Sequence, residues 1–170
     1  MEATILYGNG LNLISQPQKT WTKLLKELFD KYGNDLIPDH KPYPMVYEEL
    51  FLRNELLKLE DEKEVKSEVV KFVKQNKINE FYKMLSEFGL QNYLTTNYDF
   101  TLEEQFKKDG YAWKYNGKET KYSIFTYMEI EGTNTKIWHI HGNAIKENTI
   151  QLGFDQYCAA TRKVIAYTIG

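Results

Sequence analysis

A chain of 170 residues has the length of one domain and can bury a core of its own. Its 42% hydrophobic and 15% aromatic content is that of a globular protein, and no apolar run reaches the roughly 18 residues needed to cross a bilayer, so no membrane partner is expected. The 24 acidic and 22 basic residues leave a net charge of −2 and alternate along the chain instead of forming a basic face, which argues against direct nucleic-acid binding.

The lone cysteine, Cys158, excludes an internal disulfide and any four-cysteine zinc module, and reads as a small half-buried apolar residue. Met1 to Tyr7 runs into Gly8 without a charged leader or a pure apolar segment, so a cytoplasmic location is expected.

Thr4 to Tyr7 is β-rich and ends in Gly8-Asn9-Gly10-Leu11-Asn12, a first strand feeding a turn that a ligand can approach. A dinucleotide fingerprint would need glycine at position 13, where Leu13 stands; this disfavours an ordinary nicotinamide dehydrogenase. A tight turn and nothing more is the plain alternative. Trp21, Leu24, Leu25, Leu28, Phe29 and Tyr32 fall at helical spacing, with Thr20 as N-cap and Gly33 as stop. A loop is expected through Pro38, His40, Pro42 and Pro44, then a helix over Tyr47 to Leu59.

Glu60 to Gln75 reads as a solvated helix with Val65, Val69, Phe72 and Val73 beneath, and Ile78 to Phe88 as another, stopped by Gly89. Gln91 to Thr96 is a short buried strand, followed by a helix from Thr101 closed by Gly110. Tyr111 to Lys121 reads as irregular and Tyr122 to Ile130 as strand. Glu131-Gly132-Thr133-Asn134 is a turn and Lys136 to Ile140 a strand, while Tyr157 to Ile169 is helix or strand. Alternating helices and short strands predict a parallel, Rossmann-like α/β sheet flanked by helices, without repeats or a domain boundary.

Two strands end in side chains able to do chemistry. The first ends in Thr96-Asn97-Tyr98-Asp99, where a carboxamide and a carboxylate stand two apart; either could instead cap the helix that follows. The second ends in His139-Ile140-His141-Gly142. Two imidazoles two apart on a strand share a face, which permits a metal reading with Asp99 or Asp155 as third ligand. The other reading makes His141 a base left open by Gly142, and His139 a hydrogen-bonded structural residue.

Gly8-Asn9-Gly10, then Thr95-Thr96-Asn97-Tyr98-Asp99, then His141-Gly142, in that order, resemble the sirtuin-like NAD-hydrolase domains of bacterial antiphage defence proteins. The Gly8 to Asn12 start and Leu152-Gly153-Phe154-Asp155 are also similar to AbiH-type abortive-infection proteins. The resemblance implies one sirtuin-like NAD-binding domain over residues 1–170, with NAD+ as substrate and no metal. Asn97 and His141 would be catalytic, and Gly8, Asn9, Gly10, Asn12, Thr96 and Asp99 would bind the cofactor.

Two departures shape the expectation. Without a cysteine-bound zinc module, cleavage of NAD+ is expected in place of lysine deacylation. The family's later Gly-x-Ser turn is not visible before Gly170, so the chain is expected to be the N-terminal portion of a longer domain. Partner domains or a partner subunit of a defence system, and a homo-oligomer, are expected to hold the activity off. A non-catalytic NAD or ADP-ribose sensor and a metal hydrolase built on His139 and His141 are the competing readings.

Overall fold

The computed structural model describes residues 3–32, 40–53, 62–74, 76–117 and 126–169. Expectations for Gly33, Pro38, the second helix beyond Arg53 and the strand from Tyr122 to Phe125 lie outside these residues. Among the described residues, five strands and seven helices follow one another as β1 (Thr4–Tyr7), α1 (Gly10–Ser15), α2 (Trp21–Lys31), α3 (Tyr43–Arg53), α4 (Glu62–Val73), α5 (Glu80–Glu87), β2 (Asn92–Thr95), α6 (Thr101–Lys108), β3 (Trp113–Gly117), β4 (Thr126–Ile130), β5 (Lys136–His139) and α7 (Phe154–Ile169). The strands form one sheet in the order β1-β2-β5-β4-β3.

The predicted α/β architecture stands, but the sheet is mixed. β1, β2 and β5 run parallel, in a register that aligns Tyr7 with Thr95 and Thr95 with His139. β4 runs antiparallel to β5 and β3 antiparallel to β4. The reason lies in the turn between β4 and β5: Gly132 adopts φ 76°, and a connection this short can only return the chain antiparallel. The stretch from Tyr111, expected to be irregular, contains β3, whose Trp113 and Tyr115 pack on the core. Two further differences are local. The chain turns helical at Gly10 to give α1, and α3 begins at Tyr43 with Pro44 in its first turn, where a missing N–H costs nothing.

The cores are two. Tyr82, Leu85, Leu102 and Phe106 from α5 and α6 cover one sheet face, against Tyr7, Tyr93, Met128, Ile130 and Ile137. On the other face the aligned row Leu6, Leu94, Trp138 and Tyr127 stays half-buried or exposed, Leu6 at 64%. The second core joins α2, α3 and α4 with Tyr98, Ala144, Ile150 and Leu152, so these three helices sit over the carboxyl ends of the parallel strands. Thr20 caps α2 by accepting from the Lys23 amide, as its sequence predicts. No helix among the described residues is long and apolar enough to cross a membrane.

Gly142 closes the β5 exit turn at φ 88°, and a Cβ there would run into the Thr149 carbonyl and the Ile150 amide. Gly110, at φ 96°, has open space around it. Gly142→Ala is therefore expected to lose more stability than Gly110→Ala, which pays only the strain of a positive φ, on the order of 1–3 kcal/mol. Thermal unfolding reads the difference, at about 2–4 °C per kcal/mol for a chain of this size; equal losses would contradict it.

Candidate functional site

Because Tyr7, Thr95 and His139 are aligned, the segments that leave β1, β2 and β5 emerge side by side at one end of the sheet. Beneath the helical cap they enclose a cavity of about 210 Å³, lined among others by Trp21, Tyr47, Thr96, Tyr98, His141 and Tyr157. Its walls are aromatic and leucine-lined, and its polar groups come from the strand tips, from α7 and from the tyrosines of α3. Open sheets place ligands at this end of their parallel strands.

His141 is half-buried on this cavity, its ring 5.0 Å from that of Tyr157 and edge-on to it. Burial holds it below the ordinary histidine range, so at neutral pH the imidazole is uncharged and can accept a proton. Its position is set by the Gly142 turn and by the Gln151 amide, which donates to the His141 carbonyl at 2.9 Å. Tyr98 donates its hydroxyl to the Gln151 carbonyl and is held well above the usual phenol range by burial, with Tyr157 beside it.

Thr96 and Tyr98 face the cavity; Asn97 between them does not. Asn97 is 3% exposed, and both of its peptide groups are held by side chains: its amide donates to Thr95 Oγ1 at 3.0 Å, and its carbonyl lies 3.0 Å from His139 Nδ1. Its carboxamide nitrogen is buried without a hydrogen bond of normal geometry, its nearest acceptor being the Tyr82 hydroxyl, toward which the side chain acts as a weak donor. A buried donor left unpaired is costly, on the order of 1–3 kcal/mol, and marks the residue for a functional explanation.

The other predicted contacts are engaged within the protein. Asp99 accepts from Asn12 Nδ2 at 3.1 Å, from Asn76 Nδ2 at 2.9 Å, and from the amide and hydroxyl of Thr101, so it fixes the start of α6. This is close to the capping alternative that its sequence left open, with Asp99 one residue before Phe100, the N-cap of α6. Asn12 is fully buried: its nitrogen also donates to Asn9 Oδ1 at 3.1 Å, and its oxygen accepts from the Tyr82 hydroxyl at 2.6 Å. Asn9 donates to the Lys19 carbonyl at 2.9 Å. These bonds tie the turn after β1 to the turn after β2.

The carbonyls of the glycine turn are engaged as well: Gly8 accepts from the Leu11 amide, and Asn9 from the Asn12 and Leu13 amides. Gly8 lies against Thr96, where an added Cβ would stand 3.0 Å from the hydroxyl. Gly10 is exposed at the first position of α1.

His139 departs from the expectation of two imidazoles on one face. β5 ends at His139, the chain turns, and His141 faces the cavity while His139 is fully buried against Phe100, ring centroids 5.1 Å apart. Both of its nitrogens are taken, Nδ1 by the Asn97 carbonyl and Nε2 by Glu103 Oε1 at 2.7 Å. A metal could reach this ring only by displacing one of them, and no group of three His, Cys, Asp or Glu side chains among the described residues is placed to hold one.

Glu103 is the residue that sequence reasoning missed. The signal was present: Ile137 and His139 alternate onto the buried face of β5, so His139 needed a polar partner, and Glu103 adjoins the Leu102 and Phe106 stripe of α6.

Residues 91–167 match the model of a family described as the SIR2-like domain, a little under half of the chain. No curated protein matches it. The matched stretch runs from the residue before β2 into α7 and so contains Asn97, Asp99, Glu103, His139 and His141, while β1 and the glycine turn lie before it; over that stretch, the chain is similar to a sirtuin-like domain.

Proposed function

We propose that residues 1–170 form one NAD-binding domain that hydrolyses the bond between nicotinamide and ribose in NAD+. The observation that carries this reading is the buried, unpaired carboxamide donor of Asn97 at a strand end where Thr96 and His141 open on a cavity, within the SIR2-like stretch. Nicotinamide leaves as a neutral group through an oxocarbenium-like transition state, so the protein needs to hold the ribose, admit one water and manage one proton.

In this reading neutral His141 takes the proton on the cavity side, and the Asn97 nitrogen, which faces away from the cavity, donates to a ribose hydroxyl or to the attacking water only once a small movement of the segment after β2 turns it toward the ligand. The aromatic walls suit a flat ring and developing positive charge. At about 210 Å³ the cavity takes a ring or a sugar, since whole drug-sized ligands occupy roughly 300–1,000 Å³; the remainder of the dinucleotide would extend past Thr96 toward Gly8 and Gly10. Asn9, Asn12 and Asp99 act in this scheme by holding the two turns together. Depletion of NAD+ in antiphage defence, restrained by partner domains or by homo-oligomer assembly, is the biological role that fits such an activity.

One observation favours a second reading, a sensor that binds NAD or ADP-ribose without turnover: the polar side chains of the glycine turn are all bonded internally, and Asn97 is almost closed to solvent. Calorimetric binding by the wild-type protein without release of nicotinamide would select it.

Asn97→Ala and His141→Ala are each expected to lower nicotinamide release by about 10²- to 10⁴-fold, with thermal unfolding little changed. Full activity in either would sink the assignment. The wild-type rate is expected to be level through neutral pH and to fall on the acid side, below the ordinary histidine value of about 6.5, because burial lowers the value at which His141 takes up a proton. An acid limb at or above that value would remove His141 as the base.

A further inference from the structure

The Asn97 carbonyl can only accept, so the His139 Nδ1 that lies 3.0 Å away carries a proton. That decides the other end of the ring. Nε2 stands 2.7 Å from Glu103 Oε1, and a bare lone pair facing a carboxylate at that distance would be repelled, so a second proton lies between them. Imidazole and carboxyl are both 0% exposed, and with this proton the pair has no net charge, whichever atom carries it.

We propose that His139 and Glu103 are a positioning pair for Asn97: Glu103 fixes the ring tautomer from behind, and Nδ1–H holds the peptide group from which the unpaired Asn97 carboxamide projects. The inference rests on Asn97 being the carboxamide that meets substrate. The opposite tautomer would set a lone pair against the Asn97 carbonyl and leave that carbonyl buried without a donor, a loss of the kind that moves a loop. Thr95 Oγ1 completes the grip by accepting the Asn97 amide. No sheet hydrogen bond fixes this peptide on either side; two side chains from the tips of β2 and β5 do.

The surroundings favour keeping the proton. Burial is the largest single influence and pushes the ring toward its neutral form, but the charge and hydrogen bond of Glu103, the Asn97 carbonyl and Asp99 together hold His139 above the ordinary range. Burial raises Glu103 as well, against the pull of His139. Asp99 is the other acid acting on both, and Tyr7 and Tyr82 face Glu103 as phenols that burial keeps protonated. Above about pH 6.5 the folded pair therefore binds a proton that the unfolded chain has released. Its stabilising contribution is complete below that pH and is lost as pH rises through the raised value of the pair.

The test is imidazole nitrogen NMR, tractable because the chain has 3 histidines, together with nicotinamide release, on wild type, Glu103→Gln and Glu103→Ala. The glutamine amide can still donate to Nε2 and should preserve the tautomer. A His139 ring that keeps Nδ1–H and shows no titration at the ordinary histidine value of about 6.5 is the expected wild-type result, and it requires no variant to fold.

The Asn97 amide signal should shift in Glu103→Ala and return in Glu103→Gln. Release should follow the same order, with kcat lower by about 10-fold or more in the alanine variant and KM nearly unchanged. Glu103→Gln should also abolish the fall in stability that sets in as pH rises above the ordinary histidine value of about 6.5. An Nε2–H tautomer, an ordinary titration of His139, or an unmoved Asn97 signal in Glu103→Ala would overturn the proposal. Absence of release from every protein, with the NMR behaviour as expected, would overturn the hydrolase reading and leave the positioning pair standing.

Discussion

Three parallel strands that stop in register are the constraint on which the rest of the molecule depends. Tyr7, Thr95 and His139 lie side by side, so whatever follows them must share one end of the sheet. Asn12 reaches Asp99 across 87 positions of sequence and His139 reaches Glu103 across 36, and neither bond could form if one strand slipped by a residue, since a slip sends each side chain to the opposite face. The apolar alternation that buries Tyr93, Ile137 and Met128 under α5 and α6 specifies this register.

The same end of the sheet concentrates polar groups removed from water. Asn12, Asn97, Asp99, Glu103 and His139 are all buried. Such a cluster is tolerable where each donor finds an acceptor, and most do: Asp99 gathers four donors, and His139 uses both nitrogens. The exceptions are Asn97 Nδ2 and Glu103 Oε2, which lack partners. They belong to residues joined through His139, one at the tip of β2 and the other on α6. In the proposed reading, side chains held in a costly state by a largely satisfied surrounding network are what preorganisation requires.

The cavity and the network are distinct parts of one region. Thr96 and Tyr98 open on the cavity with His141, while Asn97 turns toward the network, so the segment after β2 alternates between the two. The helical cap of α2 and α3 supplies the aromatic walls, Trp21 and Tyr47, from outside the stretch that matches the SIR2-like domain. A proton acceptor on the cavity side and an orphan donor on the network side, carried by adjacent strands, are the elements that the hydrolase reading brings together.

What the sequence determined by itself was local. Apolar spacing and caps placed α2 from Thr20, α4 over its valine stripe and α6 before Gly110, and the turn residues separated β4 from β5. The strand-tip residues Asn97, Asp99 and His141 were legible as candidates because polar side chains after a short apolar run stand at the end of the sheet where ligands bind, while helix capping stayed open for Asn97 and Asp99. A turn of a few residues also fixed β4 as antiparallel, although alternation of helices and strands alone suggested a parallel sheet.

Only the tertiary structure decided the rest. Whether Asp99 meets a ligand or caps a helix depends on where Asn12 and Asn76 lie, and that is set by strands and helices distant in sequence. The fates of His139 and His141, alike as residues two apart, were separated by the point at which β5 stops pairing, one ring passing to Glu103 and the other to the cavity. Periodicity reports which face of an element is buried; it carries no information on which buried polar group will meet which, because that pairing is a property of strand order and register.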